Sequence, residues 1–358
     1  MNVPFGNPSS RHREGREARE ALESARSRCA AVLGVASEYI YITSGGTESN
    51  ALALHAMLLR QSGGVILASS AEHPSVRENC LILERLGKRV GFIGVEQDGR
   101  VSPATLENAL EKHRDARFAA IMGVNNETGA KTDLPALARI LRDKRIHLHC
   151  DMVQTAGKVP ADVTYADSAS LSAHKLGGPR GMGLLYLRKP LNPIYAGGGQ
   201  ERGIRPGTEN VAGAFAMADC LERRLNAETV QAEYHKASER FSRLIRGLRL
   251  IPGCRLIPED RLDEDQRFSP YILQAAFKRI PGEVMVRALD DAGFAVSTGS
   301  ACSASSQERP VLAAMGVDKR TAREGIRVSQ GWSTTMEEID RLLEALTDII
   351  SRFGFGEP

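Results

Sequence analysis

The chain has 358 residues, 42% of them hydrophobic and 25% charged, and a formal net charge of +3. This is ordinary globular composition, long enough for two domains or for one large domain with a smaller attachment. The weak charge and the lack of a dense Lys/Arg block argue against nucleic acid as a partner; no apolar run approaches the ~20 residues of a membrane span; and the opening MNVPFGNPSSRH has no signal-peptide core, so a cytoplasmic location is expected.

Residues 14–33 carry Ala and Leu on one face and predict a helix, with Arg11, Arg13, Arg16 and Arg19 read as solvated. YIYITS is a short β-rich run, followed by the turn GGTES and a helix over ALALHAMLLR. The alternation then repeats. GVILAS, RVGFIGV, FAAIMGV and IHLHCDMV read as strands, and SVRENCLILERLG, SPATLENALEKH and LPALARILRDKR as helices, the second with Ser102 as its cap and Pro103 in the first turn. This order predicts an α/β fold with crossover units and a mostly parallel, buried sheet.

LSAHKLGGPRGMGLLYL reads as strand, polar turn, Gly-rich loop and strand. Residues 210–248 read as a long helical stretch bridging two domains, YILQAAF, FAVSTGS and IRVSQG as strands, and Thr335 to Phe353 as a final amphipathic helix. The expected organisation is a large domain over 14–215, a linking helix over 216–248, and a smaller α+β domain over 249–358 on which residues 1–13 pack.

Six cysteines are scattered without a CxxC pair, which argues against a zinc site and leaves no metal expected. Cys29, Cys80, Cys150, Cys220 and Cys254 lie in apolar or helical contexts and fit reduced core residues. Cys302 differs. It sits inside STGSACSASS, a loop of small residues with nothing apolar to bury the thiol.

Five further segments have chemistry that a plain structural role would also explain. TSGGTESN joins a strand to a helix through two glycines, so an anion can sit on the N–H groups of Gly46 and Thr47; a simple capped turn looks the same. CDMVQ places Asp151 and Gln154 at the carboxyl edge of the sheet, where α/β proteins bind ligands; Asp151 can pair with a protonated ring nitrogen or merely cap a turn. Lys175 follows Ser172 and His174 in a small, apolar, Gly-rich setting, which favours the neutral amine of Schiff-base chemistry, although a surface hairpin fits too. His73 in EHPSV lies between a strand and a helix, where an imidazole can stack on a planar ligand and move protons; a lone His is more often structural. Arg327 in IRVSQG can grip a carboxylate with two parallel hydrogen bonds, or simply form an ion pair.

Together these segments resemble the NifS/IscS group of cysteine desulfurases, within the fold-type-I pyridoxal-phosphate enzymes of the class-V aminotransferase family. The matching pieces are GNPSSRH, TSGGTESN, EHPSV, NNETG, CDMVQTAGKVPADV, LSAHKLGGPRGMGLLYL, GGGQERGIRPGTEN, STGSACSA and IRVSQG, in the family's order from Gly6 to Gly331. The resemblance implies a large domain with a seven-stranded, mostly parallel sheet and a smaller α+β domain. It implies pyridoxal 5'-phosphate on Lys175, with His73 stacked on the ring, Asp151 at the ring nitrogen and Gln154 at the phenolic oxygen. Gly46, Thr47, Ser172 and His174 would hold the phosphate, joined by Thr208 from the other subunit of a homodimer. Asn126 would contact the ring or the substrate, and Arg327 the substrate carboxylate.

The implied reaction converts L-cysteine to L-alanine and leaves a persulfide on Cys302, for an iron–sulfur scaffold or a sulfur-carrier protein of tRNA thiolation. The SGSAC form resembles the branch of the family with a long, mobile cysteine loop. The family's usual LDNNATT-like opening has no counterpart ahead of GNPSS, and its loss is expected to bear on substrate binding more than on cofactor binding. The competing expectations are a selenocysteine lyase, an aminotransferase, which has no need of Cys302, and a weakened homologue acting as a regulator or partner.

Overall fold

The computed structural model describes residues 4–59, 63–299 and 309–352. The chain divides into two compact units. One comprises Met1–Ile93, Pro103–Gly123 and Asp133–Val230; the other comprises Gly94–Ser102, Val124–Thr132 and Gln231–Pro358. The helices and strands run in the order α1 (Arg13–Leu33), β1 (Ile40–Thr43), α2 (Gly46–His55), β2 (Val65–Ser69), α3 (Pro74–Arg85), β3 (Arg89–Ile93), α4 (Pro103–Lys112), β4 (Ala116–Ala120), α5 (Leu134–Asp143), β5 (His147–Asp151), β6 (Ser168–Ser172) and β7 (Gly183–Leu187). They continue with α6 (Val211–Arg224), α7 (Ala227–Leu250), β8 (Cys254–Ile257), β9 (Ile272–Phe277), α8 (Gly282–Asp291), α9 (Pro310–Ala314), α10 (Lys319–Glu324), β10 (Gly325–Ser329) and α11 (Met336–Arg352). No helix among the described residues is long and apolar enough to cross a membrane.

The first unit is built on a seven-stranded sheet of order β1-β7-β6-β5-β4-β2-β3. Pairings from β3 through β2, β4 and β5 to β6 are parallel, whereas β7 runs antiparallel to both β6 and β1. Every residue of β1, β2, β6 and β7 is buried. Such burial on both faces is what crossover helices impose on a central sheet. One face packs Leu52, Leu54 and Met57 with Val76, Cys80 and Leu83 of α3, over Ile66 and Phe118.

The second unit has a three-stranded antiparallel sheet of order β10-β9-β8. Its core joins Phe241, Leu244 and Leu248 of α7 to Leu273, Ala275 and Phe277 of β9, Ile326 and Val328 of β10, and Leu342, Leu346 and Ile349 of α11. These α11 residues recur at helical spacing, so a single apolar stripe faces the sheet.

The unit boundaries differ from the expected domain limits in three places. The expected linking helix is two helices, α6 and α7. The break falls at Asn226, whose Oδ1 accepts from Glu228 N at 3.0 Å and Thr229 N at 3.2 Å and so starts a new helix. The division of the chain falls inside α7, at Val230/Gln231. The opening residues belong to the first unit rather than to the C-terminal one: Arg19 Nε donates to Pro8 O at 2.8 Å. The segment 124–132 belongs to the second unit, because Ser269 N donates to Gly129 O at 2.7 Å, Lys131 N to Arg267 O at 2.8 Å and the buried Arg261 to Thr128 O at 2.9 Å.

FAVSTGS forms no strand over its described part. Ser297 makes one isolated bridge to Arg327, and its hydroxyl then donates to Gly299 O at 2.9 Å, which turns the chain away from the ladder.

Gly45 and Gly183 bring the turn after β1 hard against the start of β7. Gly45 has φ 155° and ψ −179°, a conformation that L side chains rarely adopt, and a Cβ on Gly183 would sit 2.4 Å from Gly45 Cα. Gly183→Ala should therefore destabilise the fold by about 1–3 kcal/mol, since backbone and not a flexible side chain must yield. Urea denaturation beside wild type checks this, and equal midpoints would contradict the contact.

Candidate active site

The strand ends of the first unit carry the predicted groups at one edge. Gly45 follows β1, Glu72 and His73 follow β2, Asp151 closes β5 and Ser172 closes β6. β1, β2, β5 and β6 run in the same direction, so this is the carboxyl edge where open α/β sheets bind ligands.

Strand alternation explains the polar groups beneath that edge. His147, His149 and Asp151 share one face of β5, and Ser168, Ser170 and Ser172 share one face of β6. The parallel register sets His149 beside Ser168 and Asp151 beside Ser170. Leu148, Cys150, Ala169 and Leu171 take the opposite face and are fully buried.

Asp151 is buried, with Oδ1 accepting from Val153 N at 3.0 Å and Oδ2 from Asn50 Nδ2 at 2.8 Å. Asn50 Nδ2 also donates to Ser75 Oγ at 2.8 Å. His73 caps α3: its Nδ1 accepts from Ser75 N at 3.1 Å and lies 2.8 Å from Ser75 Oγ, with Pro74 at the first helical position. Two predicted residues from distant parts of the sequence, His73 and Asp151, are thus joined through Asn50 and Ser75.

The TSGG turn, the DMVQ turn and the LSAHK turn also meet. A Cβ on Gly46 would lie 2.5 Å from Val153 Cγ2 and 3.9 Å from Ser172 Cβ, so only glycine fits there. Helix α2 starts at Gly46 with Gly45 as its cap and no side-chain cap bond, and Thr47 is exposed in its first turn. Ser172 Oγ lies 2.8 Å from His174 Nδ1. Burial lowers the His174 pKa, and Lys175, Arg180 and Lys158 lower it further. A bare helix start beside the Ser172 hydroxyl, itself bonded to the His174 imidazole, suits a dianionic phosphate. Lys175 is half-buried in the single 3-10 turn Ala173–Leu176 that follows Ser172. Gln154 Oε1 accepts from Lys158 Nζ at 2.6 Å, which fixes the amide and makes its NH2 the donor end. A phosphate cup, a half-buried lysine, a buried carboxylate and an amide donor at one sheet edge fit a phosphorylated, nitrogen-containing aromatic aldehyde.

Thr208 is exposed and lines a cleft of about 150 Å³ with Ser44, Met182, Arg205 and Glu209. Arg205 pairs with Glu48 at 3.1 Å on the side of that cleft nearest α2.

The remaining predicted residues belong to the second unit. Arg327 Nη1 donates to the backbone oxygen of the buried Asn126 at 2.9 Å. Asn126 Oδ1 and Arg327 Nε are both buried with no hydrogen-bond partner among the described residues. Burial pulls the Arg327 pKa down and nearby Arg309 adds to this, while Glu127 opposes it. Orphaned groups of this kind are paid for in folding unless a ligand satisfies them. Cys302 lies outside the described residues. Of the other cysteines, Cys29, Cys80, Cys150 and Cys220 are buried and Cys254 is half-buried. Burial raises the thiol pKa of Cys29, Cys80 and Cys254 to about 12, so none is a ready thiolate.

Sequence reasoning passed over Asn50, Ser75, His149 and Glu72. The alternating HLHCD was the available sign, because three polar residues at a period of two cannot all face an apolar layer. Glu72 is fully enclosed: Oε1 accepts from Met122 N at 2.7 Å, and Oε2 has no partner among the described residues. Burial raises its pKa well above the usual carboxylate range, and Asp151 adds to the effect.

Burial lowers the His149 pKa to about 3, with His147 adding to the shift. An unfolded His binds its proton near pH 6.5 and the folded one does not, so this residue's stability is complete above pH 6.5 and erodes as pH falls towards 3. Glu72 acts in the opposite sense above its unfolded value, so the difference between wild type and His149→Gln isolates the imidazole. Wild type should lose about 1 kcal/mol or more per pH unit relative to His149→Gln between roughly pH 6 and pH 4. Parallel slopes in urea denaturation would contradict a neutral buried imidazole.

The comparisons with known proteins agree on one family. The aminotransferase class-V family matches residues 4–342. A NifS/IcsS protein homolog of Lactobacillus delbrueckii subsp. bulgaricus is 40% identical over 98% of this chain and 91% of its own length. The cysteine desulfurase IscS of Dictyoglomus turgidum is 39% identical over 100% of this chain and 91% of its own. A solved NifS-like protein superposes with a TM-score of 0.87 at 34% identity, covering 98% of this chain and 93% of that one. The seven-stranded, mostly parallel α/β sheet is the fold of these pyridoxal-phosphate-dependent proteins. The chain belongs to the class-V aminotransferase family and, within it, to the NifS/IscS group of cysteine desulfurases.

Proposed function

We propose that the chain removes sulfur from L-cysteine, releasing L-alanine and holding the sulfur as a persulfide on Cys302. The observation that carries this reading is the convergence of His73, Asp151, Gln154, Ser172, His174 and Lys175 on one edge of the sheet, with His73 and Asp151 coupled through Asn50.

Pyridoxal 5'-phosphate supplies an electron sink for the carbanion formed at the substrate Cα. Lys175 would hold it covalently, Asp151 would keep the ring nitrogen protonated and Gln154 would donate to the phenolic oxygen. Gly46, Thr47, Ser172 and His174 would bind the phosphate, and Thr208 would reach the phosphate of the other subunit of a homodimer. His73 would stack on the ring and would move the substrate proton. Asn126 contacts the ring or the substrate. Arg327 would bind the substrate carboxylate, where its buried Nε, without a partner among the described residues, provides a donor.

The Cys302 thiolate attacks the sulfur of bound L-cysteine. An S–S bond forms as the Cβ–S bond breaks, and the electron pair of the broken bond stays on the substrate carbon, which is then protonated to alanine. The persulfide passes to an iron–sulfur scaffold or a sulfur-carrier protein, in the cytoplasm.

Alanine formation from L-cysteine, with added pyridoxal phosphate and a thiol reductant, tests the reading. Cys302→Ser should keep the yellow colour of the bound cofactor and form no alanine; normal turnover in that variant would overturn the assignment of the acceptor. A yellow wild-type protein that forms no alanine would overturn the desulfurase reading itself. Arg327→Ala should raise the KM for L-cysteine by about tenfold or more, the scale of a lost charge-assisted bond. An unchanged KM would remove Arg327 from carboxylate binding.

A further inference from the structure

The hydrogen bonds around Asn50 have only one self-consistent direction. An amide NH2 only donates, so Asn50 Nδ2 gives a hydrogen to Asp151 Oδ2 at 2.8 Å. The amide oxygen then faces His149 Nε2 at 2.9 Å, and an oxygen of that kind only accepts, so His149 carries its proton on Nε2. A neutral His149 has a bare Nδ1, which takes the proton of Ser168 Oγ at 2.8 Å. With its one proton spent, Ser168 Oγ accepts from His147 Nε2, also at 2.8 Å. Every donor from His147 through Ser168, His149 and Asn50 points towards Asp151.

The second hydrogen of the same amide fixes the other arm. It goes to Ser75 Oγ at 2.8 Å, so the Ser75 hydroxyl donates onward to His73 Nδ1 at 2.8 Å. His73 Nδ1 also accepts from Ser75 N, and the ring proton of a neutral His73 is thereby placed on Nε2, away from the helix cap. Asn50 is fully buried and spends both its donors and its carbonyl on this network.

We propose that Asn50 is a positioning residue of the cofactor site, whose single amide directs a chain of donors onto Asp151 and, through Ser75, sets the tautomer of His73. Aligned donors polarise one another, and their positive ends face the carboxylate that would meet the ring nitrogen. One side chain therefore ties the group beneath the electron sink to the group that moves the proton. The inference rests on the assignment of Asp151 and His73 made under the proposed function.

The test uses the full chain, stripped of cofactor and titrated with pyridoxal phosphate, with the yellow absorption as signal. Asn50→Ala should bind it about tenfold to a hundredfold more weakly. It should also displace the pH midpoint of the yellow absorption, which a purely structural role would leave in place. Asp151→Ala should act in the same direction and more strongly. Ser75→Ala should spare affinity and lower kcat with little change in KM.

A folded Asn50→Ala with wild-type affinity and midpoint, beside an impaired Asp151→Ala, overturns the inference alone. If Asp151→Ala is also unaffected, the cofactor reading fails first. If Asn50→Ala does not fold, Ser168→Ala and Ser75→Ala decide: a displaced midpoint in the first and a lowered kcat in the second support the relay, and wild-type values in both overturn it.

Discussion

A carboxylate buried at the end of a parallel strand must be given donors, and the first unit is arranged around that need at Asp151. Backbone at Val153 supplies one donor and the Asn50 amide the other. To bring Asn50 there, α2 must start immediately after β1 and lie over the polar face of β5 and β6. That start depends on two glycines, because Gly46 has Val153 against it and Gly45 has the beginning of β7. The charge at Asp151 thus constrains the turn, the helix and the register of the neighbouring strand. A buried polar network is stable only when every member is satisfied, and here the alternating faces of two paired strands satisfy most of it.

Glu72 contrasts with Asp151. It is as deeply buried but receives one backbone donor, and burial holds it towards the neutral acid. The neighbouring Asp151 pushes the Glu72 pKa further in the same direction, because a like charge nearby disfavours a second one. In the second unit a backbone carbonyl takes one nitrogen of Arg327, and Nε has no partner among the described residues.

The order of strands and helices was legible because burial on both faces of a parallel sheet forces continuous apolar runs, as in VILAS and GLLYL. The strand-to-helix junction at Gly46 and Thr47 was legible from its two glycines, whereas α3 starts at Pro74, one residue ahead of the expected SVRENCLILERLG. What escaped the sequence had no local cause. Asn226 is an ordinary polar residue in a helical run until its side chain caps Glu228 and Thr229. The 94–102 and 124–132 segments join the C-terminal unit through bonds to residues more than a hundred positions away, such as Arg267 to Asp98 at 3.5 Å. Among the site residues, His73, Asp151 and Ser172 declared themselves by standing at strand ends. Asn50 lies inside a helix and His149 inside a strand, and only the pairing of β5 with β6 gives them a purpose.

The contact of Gly45 with Gly183 has a mechanical side. Gly183 opens the second strand of the hairpin whose first strand ends at Ser172, and Lys175 sits in the loop between the two. The turn before α2 is locked to that hairpin by backbone touching backbone, with no side chain between to act as a cushion. The turn before α2 and the loop that carries Lys175 therefore form one stiff backbone unit. Neither can shift without the other, so a displacement of the turn carries the lysine loop with it.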